Sequence, residues 1–200
     1  MTVTRIAHRG YAGENPENTA LAARRAAGAA DAVEVDLRRC GSGEIVCCHD
    51  ETVDRVTDAS GPVSSFSADE LASLSVLGSG EGVPTLGAVL DAVPGGVALN
   101  AELKEDGIAG DALSTLRETP REVIVSSFSD AVLREARSAR ERPGEVALAS
   151  LHAVSGGIEE AVEHRRLRER VRRRLTAGRP GGCGLSARYP RVRPSVRRRR

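Results

Sequence analysis

At 200 residues, the chain is long enough for one domain with a sizeable core, and shorter than the roughly 250 residues that a full (β/α)8 barrel uses. Phe66, Phe128, Tyr11 and Tyr189 are its only aromatic side chains and it has no Trp, so a core has to be assembled from Val, Leu, Ile and Ala. The formal net charge of +1 hides a division: residues 1–164 hold 14 basic against 27 acidic side chains, whereas 165–200 hold 15 Arg against the single Glu169.

An acidic body whose one lysine is Lys104 has a halophile-like composition, in which surface carboxylates keep a protein hydrated at high salt. Cysteines at 40, 47, 48 and 183 are few and unevenly spaced, which excludes a secreted disulfide framework. No basic and apolar leader precedes Val3 and no run approaches about 18 apolar residues, so the expectation is a cytoplasmic chain without a membrane span.

Taken in order, the apolar runs are Val3–Ala7, Ala32–Leu37, Ile45–Cys48, Val97–Leu103, Val123–Val125 and Val146–Leu151. Helix-like stretches stand between several of them, at Thr19–Ala27, Gly110–Arg117 and Asp130–Arg140, and Glu44–Cys48 also falls in a helix-like place in this alternation. Runs such as Val123-Ile124-Val125, apolar without alternation, suit parallel strands covered on both faces. The polar stretch from His49 to Pro84 reads as an excursion from the sheet. It contains a short helix, Ala68–Leu74, opened by Ser67 with Glu70 three residues on. Thr85–Ala92 is the next helix, closed by Pro94-Gly95-Gly96. Glu159–Leu175 reads as a charged helix. From Gly178 to Arg200 the composition is that of a GC-rich gene translated in the wrong frame, so residues 1–164 are expected to form the domain and 165–200 a disordered or out-of-frame tail. The fold class expected is α/β, of the (β/α)8 TIM-barrel type, incomplete at about six strands. Its open edges make oligomer formation a possibility.

Four clusters could carry chemistry. His8-Arg9-Gly10 follows the first strand, ahead of Pro16-Glu17-Asn18-Thr19, at the end where parallel α/β sheets place reactive groups; a structural His beside a surface Arg is the bland alternative. In Glu34-Val35-Asp36 an apolar residue separates two carboxylates, which therefore share a face. Unpaired carboxylates there call for a cation, and oxygen ligands suit Mg²⁺ or Ca²⁺; an ordinary surface strand shows the same alternation. His49-Asp50 brings a second imidazole, and two histidines can share acid and base duty near neutral pH. Cys47 and Cys48 face opposite ways and suit core packing better than zinc. Glu102-Leu103-Lys104 adds a third carboxylate and a cation on one face, with a simple salt bridge as the alternative.

In order and spacing, these clusters with Thr52, Arg55, Pro84-Thr85-Leu86 and Ser126-Ser127-Phe128 resemble the glycerophosphodiester phosphodiesterases, which are (β/α)8 barrels; the resemblance covers roughly residues 4–151. It implies that Glu34, Asp36 and Glu102 bind a divalent cation, Mg²⁺ or Ca²⁺. It also implies that His8 and His49 are acid and base, and that Arg9 and Lys104 hold the substrate phosphate. The implied reaction, part of lipid and glycerol metabolism, cleaves a small-molecule glycerophosphodiester into an alcohol and sn-glycerol 3-phosphate. The last two strand–helix units of that family, with their Trp-Thr sequence, have no counterpart here. Three alternatives follow: an inactive truncated or frameshifted remnant, a phospholipase D-like hydrolase, and a binder of nucleic acid or anionic surfaces through the Arg-rich end. That end lacks interleaved aromatics and a helical period, so no nucleic-acid partner is expected.

Overall fold

The computed structural model describes residues 5–141, 146–154 and 157–162; the Arg-rich segment 165–200 and Cys183 lie outside the described residues. In chain order the elements are β1 (Ile6–Ala7), α1 (Ala20–Ala26), β2 (Ala32–Arg39), β3 (Ile45–Cys47), α2 (Ala68–Ser73) and α3 (Leu86–Ala92). There follow β4 (Ala98–Leu103), α4 (Ala109–Arg117), β5 (Val123–Ser127), α5 (Asp130–Ala139), β6 (Ala147–Val154) and β7 (Gly157–Val162). Four of the helices begin where a hydroxyl can accept an otherwise orphaned backbone N–H. Thr19, Thr85 and Ser129 cap α1, α3 and α5, and Ser67 with Glu70 forms the expected capping box on α2.

Each of the six runs read as a strand contains one among the described residues. β1, β2, β4, β5 and β6 lie side by side in that order, each parallel to its neighbour. Helices cross between successive parallel strands, which is the architecture of the α/β barrel class. Period-two alternation sorts the strand residues into two faces. Val33, Val35 and Leu37 of β2, Leu99, Ala101 and Leu103 of β4, Val125 and Leu148 pack with Ala23, Val89, Leu113 and Val132 of the helices into one buried cluster. The opposite face is polar where β2 and β4 meet, with Glu34, Asp36, Asn100 and Glu102 all buried.

Two details differ from the sequence reading. Glu44–Cys48 holds no helix: Ile45–Cys47 pairs with β2 in the antiparallel sense, Leu37 opposite Cys47 and Arg39 opposite Ile45. A three-residue apolar run records burial but not strand direction. Further on, Gly157–Val162 forms a strand antiparallel to β6 in place of the start of a charged helix, and the rest of that expected helix lies outside the described residues.

β3 decides where the second histidine goes. Leu37 pairs with Leu103 of β4 and with Cys47 of β3, so β3 occupies the edge of β2 away from β4. β1 pairs on that same edge, at Ala32 and Val33. The Cys48 N–H donates to the Asp36 carbonyl at 3.0 Å, so His49 arrives level with Asp36 and beside the loop that leaves β1. Cys47 joins the helix-side core and Cys48 a separate core under the excursion, formed with Val46, Val53, Val63, Leu71 and Val83. Gly82 permits that second core to close, because a Cβ there would stand 2.1 Å from the Ala72 carbonyl oxygen. Among the described residues no helix is long and apolar enough to cross a membrane.

Leu99 is fully buried in the helix-side cluster and Leu77 is 54% exposed. Leu99→Ala is expected to lower unfolding stability by about 2–5 kcal/mol, and Leu77→Ala to change it by no more than about 0.5 kcal/mol. Urea midpoints at unchanged slope measure both; equal effects would mean that Leu99 is not packed in the core.

Candidate active site

Glu34 and Asp36 project from the same face of β2, and the parallel register places Glu102 of β4 opposite Asp36. One carboxylate oxygen from each of the three lies within 4.8 Å of the other two, and the residues are only 4%, 0% and 6% exposed. Like charges so close and so dry require compensation. Lys104, two residues beyond Glu102 on the same face, is hydrogen-bonded to Glu102 and stands 3.1 Å from Asp36 Oδ1. Arg9 Nε stands 3.2 Å from Asp36 Oδ2, and its backbone N–H donates to Glu34 Oε2 at 2.7 Å. The Arg9 Nε and Asp36 Oδ1 contacts lack hydrogen-bond geometry, so their attraction is Coulombic rather than directional.

Asn18 supplies the directional part. Its amide donates to Asp36 Oδ2 at 2.8 Å while its oxygen accepts the Asp36 N–H at 3.1 Å, a closed pair that fixes the carboxylate. The loop after β1 is wound tightly to permit this. Arg9, Gly10 and Tyr11 all adopt left-handed backbone, with φ of 50°, 71° and 63°, and Asn18 follows at 58°. Such angles are costly for residues with a Cβ. At Gly10 no side chain fits, since a Cβ would lie 2.7 Å from Ala22 Cβ. At Arg9 the angle is held by the N–H bond to Glu34 and by the Arg9 carbonyl, which accepts the Asn18 N–H at 3.1 Å.

The compensation is incomplete at Glu34. Its Oε1 is buried and has no hydrogen-bond partner. Burial, then the Asp36 charge, pushes its carboxyl up to about 8. A buried, unsatisfied oxygen beside two further carboxylates is what a hard divalent cation with all-oxygen ligands fits. Glu34, Asp36 and Glu102 therefore suit the cation that the sequence called for.

His8 borders this cluster, and His49 lies within electrostatic range of His8. His8 Nε2 is 4.0 Å from Glu34 Oε2, and partial burial together with the Arg9 charge lowers its pKa. His49 holds Asp50 Oδ1 through Nδ1 at 2.6 Å, which leaves Nε2 as the ring nitrogen free to face a substrate. Burial opposes ionisation of Asp50, but hydrogen bonds from His49 and Arg55 outweigh it and hold that carboxyl below its ordinary value. Arg55 also forks onto Glu17 at 2.7 and 3.0 Å, which keeps Glu17 ionised, and Glu17 in turn accepts from Arg9 Nη1 at 3.1 Å. A continuous chain of hydrogen bonds thus runs from His49 to Arg9. Phe128, 45% exposed, stands at the open end with Lys104 Nζ 5.9 Å from its ring centre.

The structure gathers all seven residues singled out in the sequence: His8, Arg9, Glu34, Asp36, His49, Glu102 and Lys104. Arg9 and Lys104, expected to meet phosphate, are turned toward the carboxylates here, where they partly neutralise them. Glu17, Asn18, Asp50 and Arg55 were visible only as motif letters without a role. Arg38 was overlooked, although it continues the Glu34, Asp36 alternation by one more step.

The family model described as the glycerophosphoryl diester phosphodiesterase family matches residues 8–155. A glycerophosphodiester phosphodiesterase of Caldanaerobacter subterraneus subsp. tengcongensis is 35% identical over 147 residues, which cover 66% of this chain and 60% of that relative. The chain thus spans somewhat less than two thirds of that relative's length. A glycerophosphodiester phosphodiesterase structure from Agrobacterium tumefaciens is similar with a TM-score of 0.62 at 33% identity, over 68% of this chain and 63% of that one. A phosphodiesterase of Oleispira antarctica, solved in complex with the product sn-glycerol-3-phosphate, is similar with a TM-score of 0.66 at 26% identity, over 86% of this chain and 72% of that one.

The Glu34 carboxyl gives a pH signature. Its folded value of about 8 lies above the ordinary 4.5. Its protonated form therefore contributes stability that is complete below about 4.5 and is lost as pH rises through about 8. Without divalent cation, the melting temperature is expected to fall across that window more steeply in the native chain than in Glu34→Gln, and added Ca²⁺ or Mg²⁺ is expected to restore it at the alkaline end. Parallel pH profiles for the two proteins would contradict the assignment.

Proposed function

The chain belongs to the glycerophosphoryl diester phosphodiesterase family, and from that premise we propose that it hydrolyses glycerophosphodiesters to an alcohol and sn-glycerol 3-phosphate with the help of Mg²⁺ or Ca²⁺. One observation carries the reading. Three buried carboxylates whose oxygens lie within 4.8 Å of one another, with Glu34 Oε1 unpartnered, are flanked by two cationic side chains and two imidazoles. The product-bound Oleispira antarctica neighbour supports the substrate class.

Glu34, Asp36 and Glu102 would hold the cation, whose chemistry when bound is to polarise the phosphoryl group and neutralise its charge. Arg9 and Lys104 would bind phosphate oxygens, Arg9 through its planar fork and Lys104 as a point charge. Their charges meet the negative charge that grows on the equatorial oxygens as the P–O bond breaks. The two imidazoles share the protons. One takes a proton from the attacking water, and the other gives one to the departing alkoxide. Asp50 on Nδ1 keeps the His49 ring in a single orientation for that exchange. The partly exposed Phe128 offers an apolar wall at the mouth for the carbon skeleton of the substrate.

Release of sn-glycerol 3-phosphate from glycerophosphocholine is the test. EDTA and Glu34→Ala are each expected to abolish it, while His8→Ala and His49→Ala lower kcat by about 10²–10⁴-fold. Turnover undiminished by EDTA, or by both histidine substitutions, would overturn the proposal.

A further inference from the structure

Arg38 continues the inward face of β2 beyond Glu34 and Asp36, so a third cation at this rim would look like another phosphate ligand. Its hydrogen bonds say otherwise. Nε and Nη2 both donate to the backbone carbonyl of His49, each at 3.1 Å, and Nη1 donates to Glu105 Oε2 at 3.1 Å. Glu105 is itself held, because its other oxygen accepts the Arg39 N–H at 2.8 Å. With a side chain only 13% exposed and each guanidinium nitrogen already bonded to the protein, Arg38 is committed to His49 and Glu105.

We propose that Arg38 is a positioning residue that acts through His49, a role resting on the reading of His49 as a proton-transfer group. The backbone ahead of His49 is tied by the Cys47 and Cys48 N–H groups, and the two Arg38 bonds extend that hold to the His49 carbonyl itself. Asp50 fixes the ring at Nδ1, and Arg38 fixes the main chain from which the ring projects. Two donors on one carbonyl restrain both its position and its direction, which a single ammonium does not achieve. A side chain that must meet a reacting oxygen loses about a hundredfold in rate for a displacement near 1 Å, so a loosened carbonyl acts directly on turnover. The anchor also ties His49 to Glu105, just beyond the end of β4 that carries Glu102, and so sets imidazole and cation site in one frame.

A double-mutant cycle on glycerophosphocholine hydrolysis tests this, using the native chain, Arg38→Lys, His49→Ala and the pair together. Arg38→Lys is expected to lower kcat about tenfold to a hundredfold with KM nearly unchanged, and to cause no further loss once His49 is Ala. Losses that multiply in the double variant, or a raised KM at native kcat, would show that Arg38 meets the substrate itself and overturn the proposal. Should Arg38→Lys not fold, Glu105→Gln loosens the same anchor and enters the same cycle with the same expectation. A readout independent of turnover separates this inference from the proposed reaction: ring resonances in ¹⁵N-histidine-labelled protein. Arg38→Lys is expected to move the His49 signals and leave those of His8 in place; unmoved His49 signals overturn the role even if the native chain hydrolyses the diester.

Discussion

Three ionisable carboxyls share the polar face of β2 and β4, and the loops around them are shaped by the need to compensate that buried group. At separations near 4 Å, a pair of unit charges interacts by about 4 kcal/mol where the effective dielectric constant is about 20. Two such repulsions rival the whole stability of many small domains, which is about 5–15 kcal/mol. Against the three negative charges of Glu34, Asp36 and Glu102 the chain sets Arg9 and Lys104, and Arg9 is shared with Glu17. The compensation falls short at Glu34, whose Oε1 has no partner and whose carboxyl therefore keeps its proton up to about pH 8. On the proposed reading a divalent cation would remove that deficit and leave Arg9 and Lys104 for a second anion.

The left-handed run at Arg9, Gly10 and Tyr11 follows from this requirement. It aims the Arg9 N–H at Glu34 and the guanidinium at Asp36, which an extended chain leaving β1 would not do for both. The same loop presents His8 beside Glu34, so the strain and the chemistry sit on consecutive residues. Opposite it, the excursion with its own small core contributes Asp50 and Arg55. Arg55 returns to Glu17 at the foot of α1, which couples the two histidine-bearing segments through side chains rather than through the sheet.

Much of the fold was legible because it rests on local signals. Apolar runs of strand length, Thr or Ser at helix starts, and Gly or Pro after them located six strands and five helices to within a few residues. The placement of Glu34 and Asp36 on one face followed from period two alone, and the family resemblance ordered the rest. What stayed hidden depends on partners far away in sequence. The antiparallel sense of β3 is set by pairing with β2, and apolarity is silent about direction. Arg38 meets Glu105 at a separation of 67 residues, and at the end of a strand, next to Arg39, it reads as an ordinary surface charge. Asn18 was quoted in its motif, but its bond to Asp36 depends on a left-handed turn that nothing in its immediate neighbours requires.

The central claim is that Glu34, Asp36 and Glu102 form one cation site, and diffraction from a crystal soaked in Mn²⁺ tests it most directly. The account predicts a single strong anomalous peak among these carboxylates, with oxygens from all three at about 2.0–2.6 Å, and with Arg9 and Lys104 drawn away from them. A peak elsewhere, or none at a cation concentration that saturates a relative of the same family, would contradict it.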